Sequence, residues 1–309
     1  MPEDVVGLPR RQFFALAGAV AGVASANIGD AKSSRVAPVV LVHGAWHSSF
    51  CWCEVADRLR GMGRQVLALD LPGHGIHARY PRSYFAPGQV GFESEISAVA
   101  DVTLDAAAGA VVAALKQVHS TTKPLLVGHS LGGTVITRAA ELAPELIGRL
   151  VYLSAYLPSK IPSPAALYDL PEAGTIPKLP IVIGDAGKIG AVRFNPRGDI
   201  EYLRKLHQVF YQDVEFEKFL PFVGTLSPDL PLPLWTGETG ATVSRWGSLP
   251  RTYIHCTRDG AIAPALQLRM IAEADRMTPG NRCDVVKWDS SHSPFVSRPG
   301  DLAQLLARL

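Results

Sequence analysis

The residue best suited to chemistry is Ser130, in the pentapeptide GHSLG at 128–132. An apolar run, PLLV at 124–127, precedes it, and a helix-forming segment starts at 133. A strand, a glycine-bracketed serine and a helix form the context in which a tight turn holds the hydroxyl clear of a sheet. The glycines are needed because side chains at the ends of so tight a turn would collide. The pattern predicts a nucleophilic serine in a turn whose amides face developing negative charge.

A serine hydroxyl is a poor nucleophile at neutral pH, so it needs a base, and the base needs a partner that holds its tautomer. In a doubly wound sheet these groups lie on loops at the carboxyl ends of strands. Asp259 follows the apolar run TYIHC at 252–256, and His292 follows DVVKW at 284–288. We therefore predict a catalytic triad of Ser130, Asp259 and His292, a chain order that differs from the two well-known protease orders.

Other residues compete for these roles. His43 is an alternative base, although we expect it to brace the loop below the site. His47 is expected at the pocket entrance, and the side chain of His129 should diverge from the serine. Asp289 is only three residues from His292, which is too close to turn back to the ring. His74 lies in the turn at the second predicted strand, and packing or surface roles are expected for the histidines at 119, 207 and 255.

An oxyanion hole requires two backbone amides. One should belong to Leu131, which follows the nucleophile. The other should come from the loop HGAW at 43–46, which follows the first apolar run, and Ala45 is the best placed.

The elements that must position these residues alternate along the chain. Strands are predicted at 39–42, 65–70, 125–127, 149–154, 252–256 and 284–288, and helices at 50–60, 92–118, 133–142, 264–274 and 301–308. This alternation predicts an α/β fold with a doubly wound, mostly parallel sheet. We expect residues 36–157 and 250–309 to form the two parts of this core.

Residues 158–249 differ because prolines are frequent and strand signals are weak. So long a segment is unusual as a loop, so we predict an inserted lid with helices near 199–212 and 214–220. Aromatic side chains of the lid and of the loops below it predict a pocket for an apolar or aromatic substrate. Packing in the lid core is the alternative role for these residues, which are Trp46, Tyr156, Phe210, Phe219 and Phe295.

The first 35 residues are predicted to be an export signal and linker. Paired arginines at 10–11 precede an apolar, small-residue run at 15–26 that ends in an A-x-A site. This pattern is typical of a twin-arginine signal, and the run is too short for a stable membrane span. We expect recognition by the twin-arginine export machinery and a periplasmic or secreted protein. The alternative is an N-terminal arm or uncleaved anchor, with a cytoplasmic location if the leader does not function.

The composition gives no support for a nucleic-acid-binding protein or for a structural zinc site. A net charge of +2 without a basic patch gives no support for nucleic-acid binding. The four cysteines lack the paired C-x-x-C spacing of a structural zinc site. For an exported chain, the sequence leaves undecided whether Cys256 and Cys283 form a disulfide.

Taken together, HGAW at 43–46, DLPGHG at 70–75, residues 128–133, the Asp259 turn and Ser291-His292 resemble the α/β-hydrolase superfamily. Residues 253–268 and 289–295 are similar to one branch, which holds plant hydroxynitrile lyases, plant methyl esterases and bacterial pyrethroid-hydrolase-like carboxylesterases. The lyases place a lysine after the catalytic histidine and a threonine in the oxyanion loop. Here Ser293 and Gly44 stand at those positions, so the resemblance favours hydrolysis.

The sequence thus predicts a serine carboxylesterase with a small-molecule ester substrate and with neither a metal nor an organic cofactor. Two alternatives stay open. One is another reaction on the same triad, such as cyanohydrin cleavage, lactone opening, carbon–carbon hydrolysis or perhydrolysis. The other is a non-catalytic binding protein that kept the fold.

Overall fold

Short apolar runs of the sequence become the strands of a parallel sheet. The computed structural model describes residues 36–118, 120–174 and 181–309. Within these ranges the strands are β1 (Val39–Val42), β2 (Val66–Leu69), β3 (Leu125–His129), β4 (Arg149–Leu153), β5 (Ala191–Arg193), β6 (Asp229–Pro231), β7 (Arg251–Cys256) and β8 (Cys283–Trp288). The α-helices are α1 (Cys53–Gly61), α2 (Leu104–Gln117), α3 (Gly132–Leu142), α4 (Pro164–Tyr168), α5 (Ala186–Ile189), α6 (Ile200–Phe210), α7 (Phe216–Val223), α8 (Leu232–Thr236), α9 (Pro264–Met277), α10 (Pro294–Ser297) and α11 (Pro299–Arg308).

The main sheet has the strand order β2-β1-β3-β4-β7-β8, and all of its neighbouring pairs are parallel. Parallel pairing puts the carboxyl ends of the six strands at one edge, which is where such sheets carry their sites. The predicted α/β class with a mostly parallel sheet is confirmed.

Two apolar layers cover the sheet because successive side chains of a strand point to opposite faces. In β1, Val40 and Val42 pack with α2, α3 and α9, whereas Val39 and Leu41 pack with α1 and α11. Every residue of β1 is fully buried, as expected for a strand with helices on both faces. The described residues all belong to one compact unit.

The helix predicted over 92–118 is shorter in the structure. It begins at Leu104, because the hydroxyl of Thr103 accepts a hydrogen bond from the Ala106 amide and caps the first turn. The preceding residues make tertiary contacts that replace helical ones. The Glu95 carboxylate accepts from the amides of Arg82 and Ser83.

Residues 158–249 contain a two-stranded antiparallel sheet, β5–β6, that the sequence did not predict. Each strand has three residues, which is too short for a period-two pattern, and β6 ends in a proline. The predicted lid helices are present as α6 and α7. The division of the chain at 158 and 249 stays a prediction.

The cysteines are free thiols. The register of β7 and β8 pairs Arg251 with Cys283 and Cys256 with Trp288, so the two strand cysteines stand at opposite ends of the ladder. Five residues of strand separate them by roughly 17 Å, which is too far for a disulfide. No helix among the described residues is long and apolar enough to cross a membrane. The predicted export signal lies outside these residues.

Candidate active site

Ser130 lies in a tight turn between β3 and α3. Its backbone is left-handed, with φ of 52°. Its carbonyl accepts hydrogen bonds from the amides of Gly133 and Tyr156, both at 3.0 Å. A left-handed conformation is strained for a residue with a side chain and persists only where its surroundings enforce it. The strand, turn and helix occur where the sequence predicts them.

Glycine is required around this turn because the backbone segments approach too closely for any side chain. A Cβ added at Gly128 would lie 2.7 Å from the Gly132 carbonyl oxygen, and one at Gly133 would overlap the Tyr156 carbonyl oxygen. A Cβ at Gly44 would lie 2.7 Å from the Ser130 Cβ. The loop after β1 is therefore in direct contact with the serine.

Asp259 and His292 meet at the carboxyl edge of the sheet, as predicted. His292 Nδ1 is 2.9 and 2.8 Å from the two carboxylate oxygens of Asp259. Both side chains are almost completely buried. With Asp259 as acceptor, the ring proton resides on Nδ1, and Nε2 is left to accept a proton.

Further donors hold the Asp259 carboxylate in place. The amides of Ala261 and Ile262 donate to Oδ1 at 2.7 and 2.8 Å, and Gln267 Nε2 donates to Oδ2 at 2.8 Å. Gln267 is fully buried, and its own oxygen accepts from the Cys256 amide at 3.1 Å. Gln267 therefore connects the end of β7 to the carboxylate, a role that the sequence did not suggest.

The loop that carries His292 is anchored from three sides. The His292 carbonyl accepts from Ser154 Oγ at 2.9 Å and from His129 Nε2 at 3.0 Å. The Ser291 amide donates to Asp213 Oδ2 at 2.8 Å. Asp213 lies just beyond α6 and was also not predicted, because no local spacing connects residues 78 positions apart.

His292 Nε2 is buried and has no hydrogen-bond partner among the described residues. The structure therefore brings Asp259 and His292 together without a hydrogen bond from Ser130 to the ring. Such contacts are often long in the free protein and tighten when substrate binds. The complete triad stays a prediction.

A cavity of about 60 Å³ opens beside Ser130, and its lining includes Ala45 and Leu131. Neither of these two residues donates its amide to a protein acceptor in the part of the chain that the structure describes. Three of the predicted substrate-contacting residues, Trp46, Tyr156 and Phe210, also line this cavity.

Phe219 and Phe295 do not line this cavity but belong to the core. The ring of Phe295 lies 4.8 Å from that of His129 and 5.5 Å from that of Trp52, and Phe219 packs 5.1 Å from Tyr211. Both residues therefore pack in the core, which was the alternative role that the sequence left open. Aromatic composition alone does not distinguish a side chain that packs in the core from one that lines a pocket.

The competing histidines are engaged in structural contacts. His43 accepts from the Leu71 amide at 3.1 Å, and burial lowers its pKa to about 3. His47 is buried rather than at the pocket entrance: its Nδ1 donates to the Ala45 carbonyl at 2.7 Å and its Nε2 contacts the Tyr211 hydroxyl. Burial lowers the pKa of His47 to about 4.

Asp289 forms an exposed ion pair with Arg258 at 2.8 Å. The ring of His292 has Asp259 and not Asp289 as its carboxylate partner. Among the described residues, no group of His, Cys, Asp or Glu side chains could hold a metal ion.

Comparisons with known proteins place these features in context. Residues 39–305 match the model of the Alpha/beta hydrolase family. The pyrethroid hydrolase of Sphingobium wenxiniae is 30% identical over 281 residues, which cover 88% of this chain and 87% of the relative. Methylesterase 9 of Arabidopsis thaliana is 27% identical over 274 residues, covering 87% of this chain and 96% of the relative.

A solved structure supports the same relationship. The crystal structure of a pyrethroid hydrolase from Sphingobium faniae superposes with a TM-score of 0.70 at 26% identity, over 88% of this chain and 96% of that one. The range 39–305 matched by the family model contains the serine turn, the loop after β1, Asp259 and His292.

Proposed function

Because the chain belongs to the alpha/beta hydrolase family and its relatives are esterases, we propose that it is a serine carboxylesterase for apolar or aromatic esters. The reaction would proceed through an acyl-enzyme on Ser130, with Asp259 and His292 completing the triad. The amides of Ala45 and Leu131 would form the oxyanion hole.

The observation that carries this proposal is the state of the His292 ring. Two carboxylate oxygens hold Nδ1, while the buried Nε2 has no other partner among the described residues. An imidazole fixed in this way is oriented as a base for a nearby hydroxyl. Ser130 lines the cavity described above, together with both candidate oxyanion residues.

In the first half of the reaction, Ser130 Oγ attacks the ester carbonyl while His292 Nε2 takes its proton. The carbonyl oxygen becomes an anion that accepts from the two free amides. His292 then returns the proton to the departing alkoxide, and the alcohol leaves. In the second half, His292 takes a proton from water, the hydroxide attacks the acyl-serine, and Ser130 recovers its proton as the acid leaves.

The walls of the cavity support an apolar substrate. Trp46, Tyr156 and Phe210 surround Ser130 with rings, and Ala261 and Ile262 add aliphatic surface. Burial raises the pKa of the Tyr156 hydroxyl well above its usual value, so this side chain remains neutral. No charged side chain among the described residues lines the cavity, so nothing there would pair with a charged substrate.

The direct test is Ser130→Ala. We expect kcat/KM for p-nitrophenyl acetate to fall by at least about 10³-fold, because loss of a triad nucleophile leaves only binding and oxyanion stabilisation. A fluorophosphonate probe should label wild type at Ser130, as located by mass spectrometry, and should not label the variant.

The matched control is Ser94→Ala, which removes an exposed hydroxyl that donates to the Gly91 carbonyl. It should react and label like wild type. Retained activity in Ser130→Ala, or labelling at another residue, would refute the proposed nucleophile.

A further inference from the structure

A second cavity adjoins the one beside Ser130. It measures about 180 Å³, compared with about 60 Å³ for the first. Four residues line both cavities, namely Trp46, Tyr168, Leu230 and Trp235. The smaller cavity holds the reacting serine, so the larger one extends the same space away from the reacting atoms.

The second cavity is lined by apolar and aromatic side chains. Val182, Val192 and Phe194 complete its wall, and no charged side chain among the described residues reaches it. An apolar cavity of about 150 Å³ remains dry and is large enough to bind benzene. The volume and the lining therefore suit one aromatic ring or a chain of about six carbons.

Trp46, which lines both cavities, is held in place. The Trp46 indole stacks on Phe194 with ring centroids 3.7 Å apart, and its N–H donates to the Val192 carbonyl at 3.0 Å. The Trp46 carbonyl accepts from the Ser227 amide at 2.7 Å. Trp46 has a left-handed backbone, with φ of 61°, a conformation that a bulky residue keeps only under such constraints.

The floor of the second cavity is formed by β5 and β6 and is supported by an ion pair beneath it. In the register of these two strands, Val192 pairs with Leu230 and Arg193 pairs with Asp229. Because adjacent residues of a strand face opposite ways, the first pair lines the cavity and the second lies beneath it. Arg193 and Asp229 form a fully buried, two-pronged ion pair at 2.6 and 2.7 Å. Arg193 also donates to the carbonyls of Phe92 and Glu95, which ties the floor to the rest of the molecule.

We infer that this second cavity is a preformed subsite for an apolar arm of the substrate, about the size of an aromatic ring or a six-carbon chain. This inference rests on the proposed function and makes it specific: the preferred ester has a large uncharged arm. The arm is either the acyl or the alcohol half, and the experiment distinguishes the two.

The test uses two series of esters. The first keeps p-nitrophenol as the alcohol and lengthens the acyl chain from acetate to octanoate. The second keeps acetate and lengthens the alcohol from methyl to hexyl. Burial of each methylene favours binding roughly threefold to fourfold. We expect kcat/KM of wild type to rise roughly tenfold or more along one series, up to about six carbons.

The variant Val192→Phe should fill the subsite. We expect it to lower the ratio of kcat/KM for the six-carbon member to that for the shortest member by about tenfold. Val192→Ala should move the optimum to longer chains, and it covers the case in which the larger residue prevents folding. Val285→Phe makes the same substitution at an exposed position of β8 and should keep the wild-type ratio.

A binding measurement separates this inference from the proposed reaction. Ethylbenzene carries no ester, and calorimetry should detect its binding to wild type and to Val285→Phe but not to Val192→Phe. Binding with that pattern supports the subsite even if no ester is cleaved. If acetates are cleaved by Ser130 while neither series rises and ethylbenzene does not bind, the subsite is refuted and the esterase stands.

Discussion

At the residue scale, the contact between Asp259 and His292 was predictable from position alone. Both follow apolar runs, and parallel strands bring their carboxyl ends to one edge. Gln267 and Asp213 were not predictable as supports. Their roles depend on where α9 and the segment after α6 turn back to the sheet, and no local spacing encodes that distance.

The role of Asp259 can be separated from that of a nearby carboxylate. Asp259→Asn keeps the size of the side chain but allows the amide to donate to Nδ1, which favours the wrong tautomer of His292. We expect kcat for p-nitrophenyl acetate to fall about 10⁴-fold, as when a triad aspartate is replaced by asparagine. The measurement is steady-state kinetics, with circular dichroism to check that the variant folds.

Asp289→Asn is the matched control. Its carboxylate is mostly exposed and pairs with Arg258 rather than with the ring. Exposed ion pairs contribute little, so its kcat should remain within about twofold of wild type. Equal losses in both variants would remove Asp259 from the triad.

At the scale of elements, apolar runs located the strands of the main sheet within one or two residues, whereas the helix before Leu104 was wrong. Alanine content predicted helix there, but in the structure the Glu95 carboxylate instead accepts hydrogen bonds from the amides of Arg82 and Ser83, in a turn 12 to 13 residues earlier. The β5–β6 pair was not predicted, because tertiary packing brings its strands together and each strand is too short to show an alternating sequence pattern.

The glycines of two helices give opposite predictions for the same substitution. Gly133→Ala places a Cβ against the Tyr156 carbonyl and the Ala155 side chain at the start of α3. We expect the free energy of unfolding to fall by about 1–3 kcal/mol, the usual cost of overpacking. Urea denaturation monitored by circular dichroism measures it.

Gly109→Ala serves as the control, since a Cβ at this position in α2 meets nothing within 4 Å. Alanine is a better helix former by about 1 kcal/mol, so this variant should be slightly more stable than wild type. A stable Gly133→Ala would contradict the close approach of α3 to the loop after β4.

At the scale of the whole molecule, buried neutral histidines surround the site. Burial lowers the pKa of His43 to about 3 and that of His47 and His74 to about 4, and it lowers the pKa of His129 far below its usual value. An exposed histidine in the unfolded chain has a pKa of about 6.5. Between these values the unfolded chain binds more protons than the folded one.

Stability should therefore be greatest above pH 6.5 and should decline as the pH falls toward 4. Each such histidine contributes a slope of up to about 1.4 kcal/mol per pH unit. His74→Gln removes one of these groups, so its free energy of unfolding should fall less steeply over this range. Urea unfolding at several pH values measures the slopes.

His77→Gln provides the comparison, because His77 is exposed three residues further along the same loop. Its slope should match that of wild type. Wild-type stability that is independent of pH between 4 and 6.5 would show that these rings are not kept neutral by the fold.

The contact between Gly44 and Ser130 has a consequence for how the protein folds. The two residues belong to loops that follow different strands, β1 and β3, and they meet only when those strands have paired. An intermediate with formed helices but with β1 not yet paired to β3 would carry Ser130 without the loop that contains Gly44 and Ala45. During refolding, the circular dichroism signal would then recover before the proposed esterase activity does. The delay between the two signals would measure how long β1 and β3 take to pair.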